Sequence, residues 1–298
     1  MQQTPNHRGS STTMIVVAAG ALLLVFVAIA ASIYLPYHRE RKVEQAVRVL
    51  GGRVSWEYYG PEMIPVSVRN WSRVWNWIEG INLEKSSVMD SDLRPMSERS
   101  HLKWFNLAST RISDAGLEHL KGLSNIVWLN LGQTAITDAG IEHLKGLINL
   151  QTLQLNQTTI TDTGLEHLKA LTHLRYLDLS HTAITDAGLV HLKGRTELYD
   201  LFLAETQITD VGLEHLKALT HFRLLDLSHT AITDVGLEHL KGMTRLGELN
   251  LSRTAITDAG LEHLKGLTGL EKLNLSDTAV TPNGREELLK ALPRLRIE

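Results

Sequence analysis

The stretch Arg245–Thr268, RLGELNLSRTAITDAGLEHLKGLT, decides the fold because close variants of it recur every 24 residues. Related units begin at His101, Asn125, Asn149, His173, Glu197, His221 and Gly269, which makes eight clear repeats over residues 101–292. A ninth, degenerate unit covers residues 77–100, where apolar residues and Asp90 keep the same register. A period of this length is typical of solenoids, in which neighbouring units stack to bury a core that no single unit can bury alone.

Each unit combines the signal of a strand with the signal of a short helix. Leu249 and Leu251 alternate with polar residues, as expected of a strand with one buried face. The last unit reads Thr281-Pro282 at the start of its helical part, and proline favours the first helical position. By register, we predict helix N-caps at the equivalent threonines, which are Thr137, Thr161, Thr185, Thr209, Thr233 and Thr257.

Two further polar positions of the unit also have expected structural roles. Thr254 lies where a side chain is needed to satisfy backbone groups as the chain turns away from the strand. Asp258 follows the N-cap and places negative charge near the positive end of the helix dipole.

The repeated pattern L-x-x-L-x-L-x-x-T-x-I-T-D-x-G-L-x-x-L-x-x-L resembles the leucine-rich repeat, with Thr where many members carry Asn or Cys. The resemblance covers the nine units of residues 77–292, and we interpret residues 77–298 as one leucine-rich-repeat domain. It implies an α/β solenoid with parallel strands on the concave face and short helices on the convex face. It also implies binding rather than chemistry, and it names no partner.

The N-terminus carries an uncharged segment from residue 14 to residue 35, preceded by a polar tail of residues 1–13. At about 1.5 Å per residue, a helix of this length crosses roughly one bilayer core. We therefore predict a transmembrane helix that contacts the lipid bilayer. The alternative is a cleaved signal peptide with Ala28-Ile29-Ala30 as its processing site, but a signal peptide has a shorter apolar stretch and a more basic start.

Basic residues indicate the orientation of this segment. Arg39, Arg41, Lys42 and Arg48 follow it, whereas only Arg8 carries a formal positive charge before it. The positive-inside tendency then places the solenoid in the cytoplasm. With the anchor included, the chain is similar to bacterial membrane-anchored leucine-rich-repeat proteins, and we predict a single-pass membrane protein.

Residues 36–76 are predicted to form a juxtamembrane linker and an N-terminal cap. The linker begins with a helix that Gly51-Gly52 would end, and residues 54–58 alternate like a strand. A second helix is predicted from a stripe at helical spacing, formed by Trp71, Val74, Trp75 and Ile78. A cap over the first repeat is expected because solenoid ends need one, and an aromatic docking surface is the alternative.

The predicted concave face is the candidate binding site because its residues vary while the scaffold positions stay fixed. Its columns run Trp104, Trp128, Thr152, Tyr176, Asp200, Leu224, Glu248, Lys272 and Asn106, Asn130, Gln154, Asp178, Phe202, Asp226, Asn250, Asn274. Exposed aromatic patches mark interfaces, where Trp and Tyr are enriched. The candidate partner-binding residues are Trp104, Asn106, Trp128, Asn130, Tyr176, Asp178, Tyr199, Asp200, Phe202, Glu205 and Asp226.

Other functional classes lack support in the sequence. The absence of cysteine excludes disulfides and thiolate metal sites, and no catalytic, phosphate-binding or zinc motif occurs, so we predict neither enzyme activity nor a cofactor. A histidine recurs at one position in seven of the eight clear units, but identical positions on neighbouring helices do not converge on one metal ion. Residues 101–298 contain 19 Lys and Arg against 24 Asp and Glu, which argues against nucleic-acid binding.

The functional hypothesis is a membrane-anchored module that binds another protein on its concave face. One alternative is a structural, self-associating envelope protein, because an imperfect cap would leave strand edges open. Another is a substrate-presenting adaptor of a multi-component ligase-like complex, which rests on analogy with the family. The sequence leaves open whether the ligand is a protein or a glycan.

Overall fold

The computed structural model of the protein describes residues 38–58, 76–97 and 101–298. Their strands form a single 11-stranded sheet in chain order. β1 is antiparallel to β2, and each later pair is parallel and in register, which confirms the predicted α/β solenoid. The strands are β1 (Arg53–Tyr58), β2 (Asn76–Asn82), β3 (Trp104–Asn106), β4 (Trp128–Asn130), β5 (Thr152–Gln154), β6 (Tyr176–Asp178), β7 (Asp200–Phe202), β8 (Leu224–Asp226), β9 (Glu248–Asn250), β10 (Lys272–Asn274) and β11 (Arg296–Ile297).

Short helices return the chain from one strand to the next. The α-helices cover residues 38–49, Asp114–Leu117, Asp138–Ile141, Asp162–His167, Asp186–Leu189, Asp210–Leu216, Asp258–Leu261 and Pro282–Ala291. The 3₁₀ helices cover Asp90–Met96, Glu118–Leu120, Glu142–Gly146, Leu168–Ala170, Val190–Leu192 and Gly236–Leu240. The six predicted N-cap threonines each accept a hydrogen bond from the N–H two residues later. Five of them are confirmed as helix N-caps, whereas Thr233 precedes a turn and the helix of its repeat begins only at Gly236, after Val235.

The core is one continuous stack of apolar side chains, contributed by every repeat and by residues 77–100. Ile81, Leu83, Val88 and Leu93 of the degenerate unit are all fully buried, in the register of the later leucines. The predicted role of Thr254 is confirmed, because its buried hydroxyl donates to the carbonyl of Leu251 at 2.5 Å. Equivalent hydroxyls do the same in the neighbouring repeats, which satisfies a carbonyl next to the core.

A row of aspartates, which we call the aspartate ladder, joins each repeat to the next. Its members are Asp90, Asp114, Asp138, Asp162, Asp186, Asp210, Asp234 and Asp258. The carboxylate of Asp186, for example, accepts hydrogen bonds from the N–H of Thr209 at 2.8 Å and from its hydroxyl at 2.6 Å. A Cβ on Gly212 would lie 2.4 Å from the same carboxylate, so glycine at this position permits the contact.

The N-terminal end of the solenoid is closed by residues 38–49, which we call the cap helix. Val43 and Val47 are buried against the first repeat. Glu40 is also buried, and its carboxylate accepts a hydrogen bond from the N–H of Ile78 at 3.0 Å. The predicted helix before Gly51-Gly52 and the predicted strand after it are both present.

The second helix predicted in this region is wrong at Ile78, which lies in β2. Trp71, Val74 and Trp75 are outside the described residues. Residues 14–35, predicted to form the transmembrane helix, are outside them too. Among the residues that the structure does describe, no helix is long and apolar enough to cross a membrane.

Candidate protein-binding face

The first and third residues of strands β3–β10 form one surface, which we call the sheet face. Their side chains point away from the core because the middle residue of each strand, such as Leu177 or Leu225, is fully buried. Parallel strands lie about 4.7–4.9 Å apart, whereas stacked helices are roughly 10 Å wide. The sheet side of a stack of repeats is therefore the shorter one, which makes it the concave side.

The N-terminal part of the sheet face is aromatic. Trp104 and Trp128 are paired residues of β3 and β4, and both are half-buried. The indole of Trp104 lies directly over Gly80 of β2, where a Cβ would come within 1.7 Å of ring atom Cε2. Because Gly80 has no side chain, the indole ring can pack directly on the backbone of β2.

The two predicted asparagines have structural roles beside any role in binding. Asn106 is buried, donates from Nδ2 to Glu84 at 3.2 Å and accepts the N–H of Ala108 at 3.1 Å. Asn130 accepts the N–H of Gly132 at 2.9 Å and stays partly exposed. Both side chains stabilise the turn that follows their strand, so Asn130 has the larger surface available to a partner.

The centre of the sheet face holds a second aromatic pair. The rings of Tyr176 and Phe202 are 5.0 Å apart between centroids and tilted by 39°, a favourable geometry for aromatic contact. Burial raises the pKa of the Tyr176 hydroxyl, and the charges of Asp178 and Asp200 raise it further. Tyr199 precedes β7 at the edge of this surface and is 36% exposed.

Two carboxylates flank the Phe202 ring in register, Asp178 on β6 and Asp226 on β8. Asp178 accepts the N–H of Ser180 at 3.0 Å. Burial raises the pKa of Asp178 above its usual range, and the charge of Asp226 adds to the rise. Asp226 accepts the N–H of Ser228 at 2.9 Å and its hydroxyl at 2.7 Å.

Asp200 differs from these two carboxylates because a cation of the chain neutralises it. It is buried, and Arg223 donates to it twice, at 2.6 Å and 3.1 Å. These hydrogen bonds raise the pKa of the largely exposed Arg223 guanidinium. Asp200 therefore positions Arg223 at the rim and offers a partner little free charge.

Glu205 lies beside the sheet face, in the turn after β7, where its φ of 54° is left-handed. Its carboxylate is 3.0 Å from Nδ1 of His181 and 3.8 Å from Nδ1 of His229. The column continues through Arg253, which contacts His229 at 3.3 Å. These residues line one rim of the sheet face.

The opposite rim contains residues that sequence reasoning missed. A shallow depression there is lined by Gln151, Thr152, Arg175, Tyr176, Tyr199, Asp200 and Arg223. Arg175 and Arg223 each precede a strand by one residue, so a search of that column for basic residues would have found them. Most of the predicted site residues thus lie on or next to the three neighbouring strands β6–β8, whereas the four others lie N-terminally on β3 and β4, which are Trp104, Asn106, Trp128 and Asn130.

The geometry shows no sign of metal chemistry on this surface. In the part of the chain that the structure describes, no three His, Asp or Glu side chains are grouped so that they would hold a metal ion. The expected lack of a cofactor and of enzyme activity stays a prediction.

An extended sheet face on a rigid stack of repeats defines a solenoid binding module. The family described as "Leucine rich repeat" matches residues 128–184, 196–256 and 220–280. The chain belongs to the leucine-rich-repeat family, whose domains generally mediate protein–protein interaction. A comparison with curated proteins gave no match.

Solved structures of bacterial leucine-rich-repeat proteins share the fold. An internalin C2 of Listeria monocytogenes is similar with a TM-score of 0.56 and 26% identity, over 67% of this chain and 81% of that one. Another internalin of that species has a TM-score of 0.55 and 22% identity, over 73% of this chain and 65% of that one. A leucine-rich-repeat protein of Leptospira interrogans has a TM-score of 0.53 and 19% identity, over 73% of this chain and 59% of that one. This chain therefore spans less than two thirds of the length of the latter two proteins.

Proposed function

We propose that this protein is a membrane-anchored recognition module that binds a partner protein on its sheet face. The observation that carries the proposal is the contrast between the scaffold and this surface. The buried leucines, N-cap threonines and aspartate ladder repeat with little change from unit to unit. By contrast, the first exposed strand position changes along the stack, from Trp in β3 and β4 through Thr, Tyr, Asp, Leu and Glu to Lys in β10. Varied side chains on a constant scaffold are what recognition of one particular partner needs.

The aromatic residues support binding of a protein partner. Trp104, Trp128, Tyr176 and Phe202 are only half-buried, so a partner can cover the rest of each ring. Large rigid aromatic side chains dominate the energetics of protein interfaces. The ladder and core hold their backbones in place before binding, which lowers the entropic cost of association.

The anchor is the second part of the proposal. Residues 14–35 carry no charge, and the cap helix, described over residues 38–49, lies only a few residues beyond them. Because the cap helix packs on the first repeat through Val43 and Val47, an anchored chain would hold the solenoid close to the bilayer. From the basic residues that follow the segment, we place the solenoid on the cytoplasmic side.

Partner capture tests the binding site. The full chain, solubilised from membranes, is used as bait, and captured proteins are compared by quantitative mass spectrometry between wild type and Trp104→Ala/Trp128→Ala. We expect loss of about 2 kcal/mol or more of binding free energy, hence a large drop in the specific partner. The matched control is Val211→Ala/Val235→Ala, which changes two residues 61% and 65% exposed on the helical side. Equal capture by the two double variants, with unchanged melting temperatures, would exclude the sheet face as the binding site of the partner.

Topology tests the anchor. The chain has no cysteine, so Ser10→Cys and Glu298→Cys each give a single labelling site. A membrane-impermeant thiol reagent on intact cells is expected to label Ser10→Cys alone. Labelling of Glu298→Cys alone would place the solenoid outside and contradict the cytoplasmic assignment. Release of both variants from the membrane fraction by carbonate would contradict the anchor itself.

A further inference from the structure

The centre of the sheet face is a grid of aromatic and acidic side chains. Tyr176, Asp200 and Leu224 pair across β6, β7 and β8 in one row. Asp178, Phe202 and Asp226 pair across the same strands in the next row. The Phe202 ring is thus bordered on both sides by a carboxylate, one strand spacing away in each direction.

These two carboxylates differ from the other acidic groups around them. Asp200 is paired with Arg223, Glu248 with Lys272 at 2.8 Å, and Glu197 with Arg175 at 3.6 Å. Within residues 38–58, 76–97 and 101–298, neither Asp178 nor Asp226 has a salt bridge; each accepts hydrogen bonds from neutral groups only.

Burial disfavours the charge of Asp178, although hydrogen bonds from Ser180 and the charge of His181 oppose this effect on its pKa. Burial and the nearby charge of Asp226 raise its pKa, so keeping it ionised at neutral pH is unfavourable in the free protein. The turn does not require the charge, because Asn130, Asn250 and Asn274 accept the equivalent N–H in their own repeats. A neutral side chain would therefore be sufficient to stabilise the turn. The two carboxylates are thus available to bind a cationic ligand.

We propose that the partner protein inserts an arginine side chain between Asp178 and Asp226, with its guanidinium stacked on the Phe202 ring. This inference rests on the proposed function and names the chemistry of the partner. A guanidinium is planar, it stacks on aromatic faces, and its fork of N–H donors matches carboxylates at its edges. The ring of Tyr176, 5.0 Å from that of Phe202, extends the stacking surface.

The probe is a nine-residue Gly-Ser peptide with one central arginine, compared with the same peptide carrying neutral citrulline. The full chain in detergent is labelled with 4-fluorophenylalanine and observed by fluorine NMR. The chain has only four phenylalanines, and Phe105 and Phe222 are fully buried. The Phe202 signal is assigned by its loss in Phe202→Leu.

We expect the arginine peptide to shift the Phe202 signal saturably and the citrulline peptide to leave it unmoved. In Asp178→Asn/Asp226→Asn the affinity should fall about tenfold or more, since charge-assisted hydrogen bonds are lost. The control Asp277→Asn/Glu286→Gln removes two exposed charges elsewhere and should bind as wild type.

An unmoved Phe202 signal, equal shifts by both peptides, or full binding by the Asp178→Asn/Asp226→Asn variant would overturn the arginine inference. Such a result is separable from failure of the proposed function. If Trp104→Ala/Trp128→Ala still abolishes partner capture, the sheet face stays the binding surface and only the arginine chemistry is withdrawn.

Discussion

At the residue scale, the aspartate ladder explains why Asp, Thr and Gly recur together in every unit. One carboxylate receives two hydrogen bonds from the threonine of the next repeat, and that repeat's glycine leaves room for it. Sequence reasoning assigned the aspartate to the dipole of its own helix and missed this bridge. The bridge joins residues 23 positions apart, and a repeat pattern alone does not show which copies touch.

Gly212→Ala tests the ladder. The new Cβ would lie 2.4 Å from the carboxylate of Asp186 and 3.0 Å from Ile208, so the hydrogen bonds to Thr209 must distort. We expect the free energy of unfolding to fall by about 1–3 kcal/mol, as for other overpacked sites. The control is Gly266→Ala, whose Cβ would have nothing within 4 Å. Urea unfolding midpoints measure both, and equal midpoints would refute the close-contact explanation.

Asp178→Asn tests whether the ionised carboxylate of Asp178 destabilises the folded protein. Because the pKa of folded Asp178 is raised, the wild type gains stability as pH falls through that raised value towards the ordinary 3.8. The asparagine variant lacks the unfavourable charge, so it should melt about 1–2 °C higher than wild type near pH 7. The difference should shrink on acidification. A variant that melts lower than wild type at neutral pH would show that the carboxylate serves the fold.

Arg195 shows where a residue-scale expectation fails. It stands where the neighbouring repeats carry Leu171 and Leu219, and an arginine at such a position is expected to cover the core with its stem while its charge reaches water. Instead the guanidinium turns inward and donates to the carbonyls of Leu171, at 2.7 Å, and Leu168, at 2.5 Å. Burial lowers its pKa. Carbonyls at the end of the preceding repeat's helix attract the cation although each also accepts a backbone N–H, and no single-residue pattern reveals this contact.

At the element scale, the cap helix and β1–β2 close the stack in place of a further repeat. The cap helix was predictable from its amphipathic spacing and from Gly51-Gly52. The strand β2 was not, because Ile78 and Ile81 are three residues apart, which suggests a helix. A register shift opposite Ser55 and Trp56 inserts an extra residue into β2. That bulge turns both isoleucines towards the core.

Val47→Ala tests the cap helix as a structural element. Val47 is fully buried against the first repeat, whereas Val49 on the same helix is 81% exposed. Removing two methyl groups at Val47 should cost about 1–2 kcal/mol and loosen the N-terminal end of the stack. Hydrogen exchange of the β2 and β3 amides should become faster. Val49→Ala should leave exchange unchanged, and equal effects of the two substitutions would contradict the packing described for this helix.

At the scale of the whole molecule, the chain is a stack in which each repeat contacts its neighbours. The period alone was sufficient to predict this architecture, the buried positions and the surface made by exposed strand residues. The burial and the hydrogen-bond partners of each predicted site residue were not predictable. Asn106 and Asp200 have the same outward-facing spacing as Asn130 and Asp178, yet both are buried. Their partners Glu84 and Arg223 lie on neighbouring repeats.

The proposed function requires the partner protein to bind on the sheet face. Site-specific incorporation of a photo-crosslinking phenylalanine derivative in the full chain, in living cells, tests it most directly. Tyr176 and Leu224 are the sheet-face positions, and Lys169 and Lys217 on the helical side are the controls. Irradiation is expected to give one adduct of the same mass and identity at both sheet-face positions and no such adduct at the controls. The same adduct at Lys169 and Lys217, with none at Tyr176 or Leu224, would contradict recognition through the sheet face.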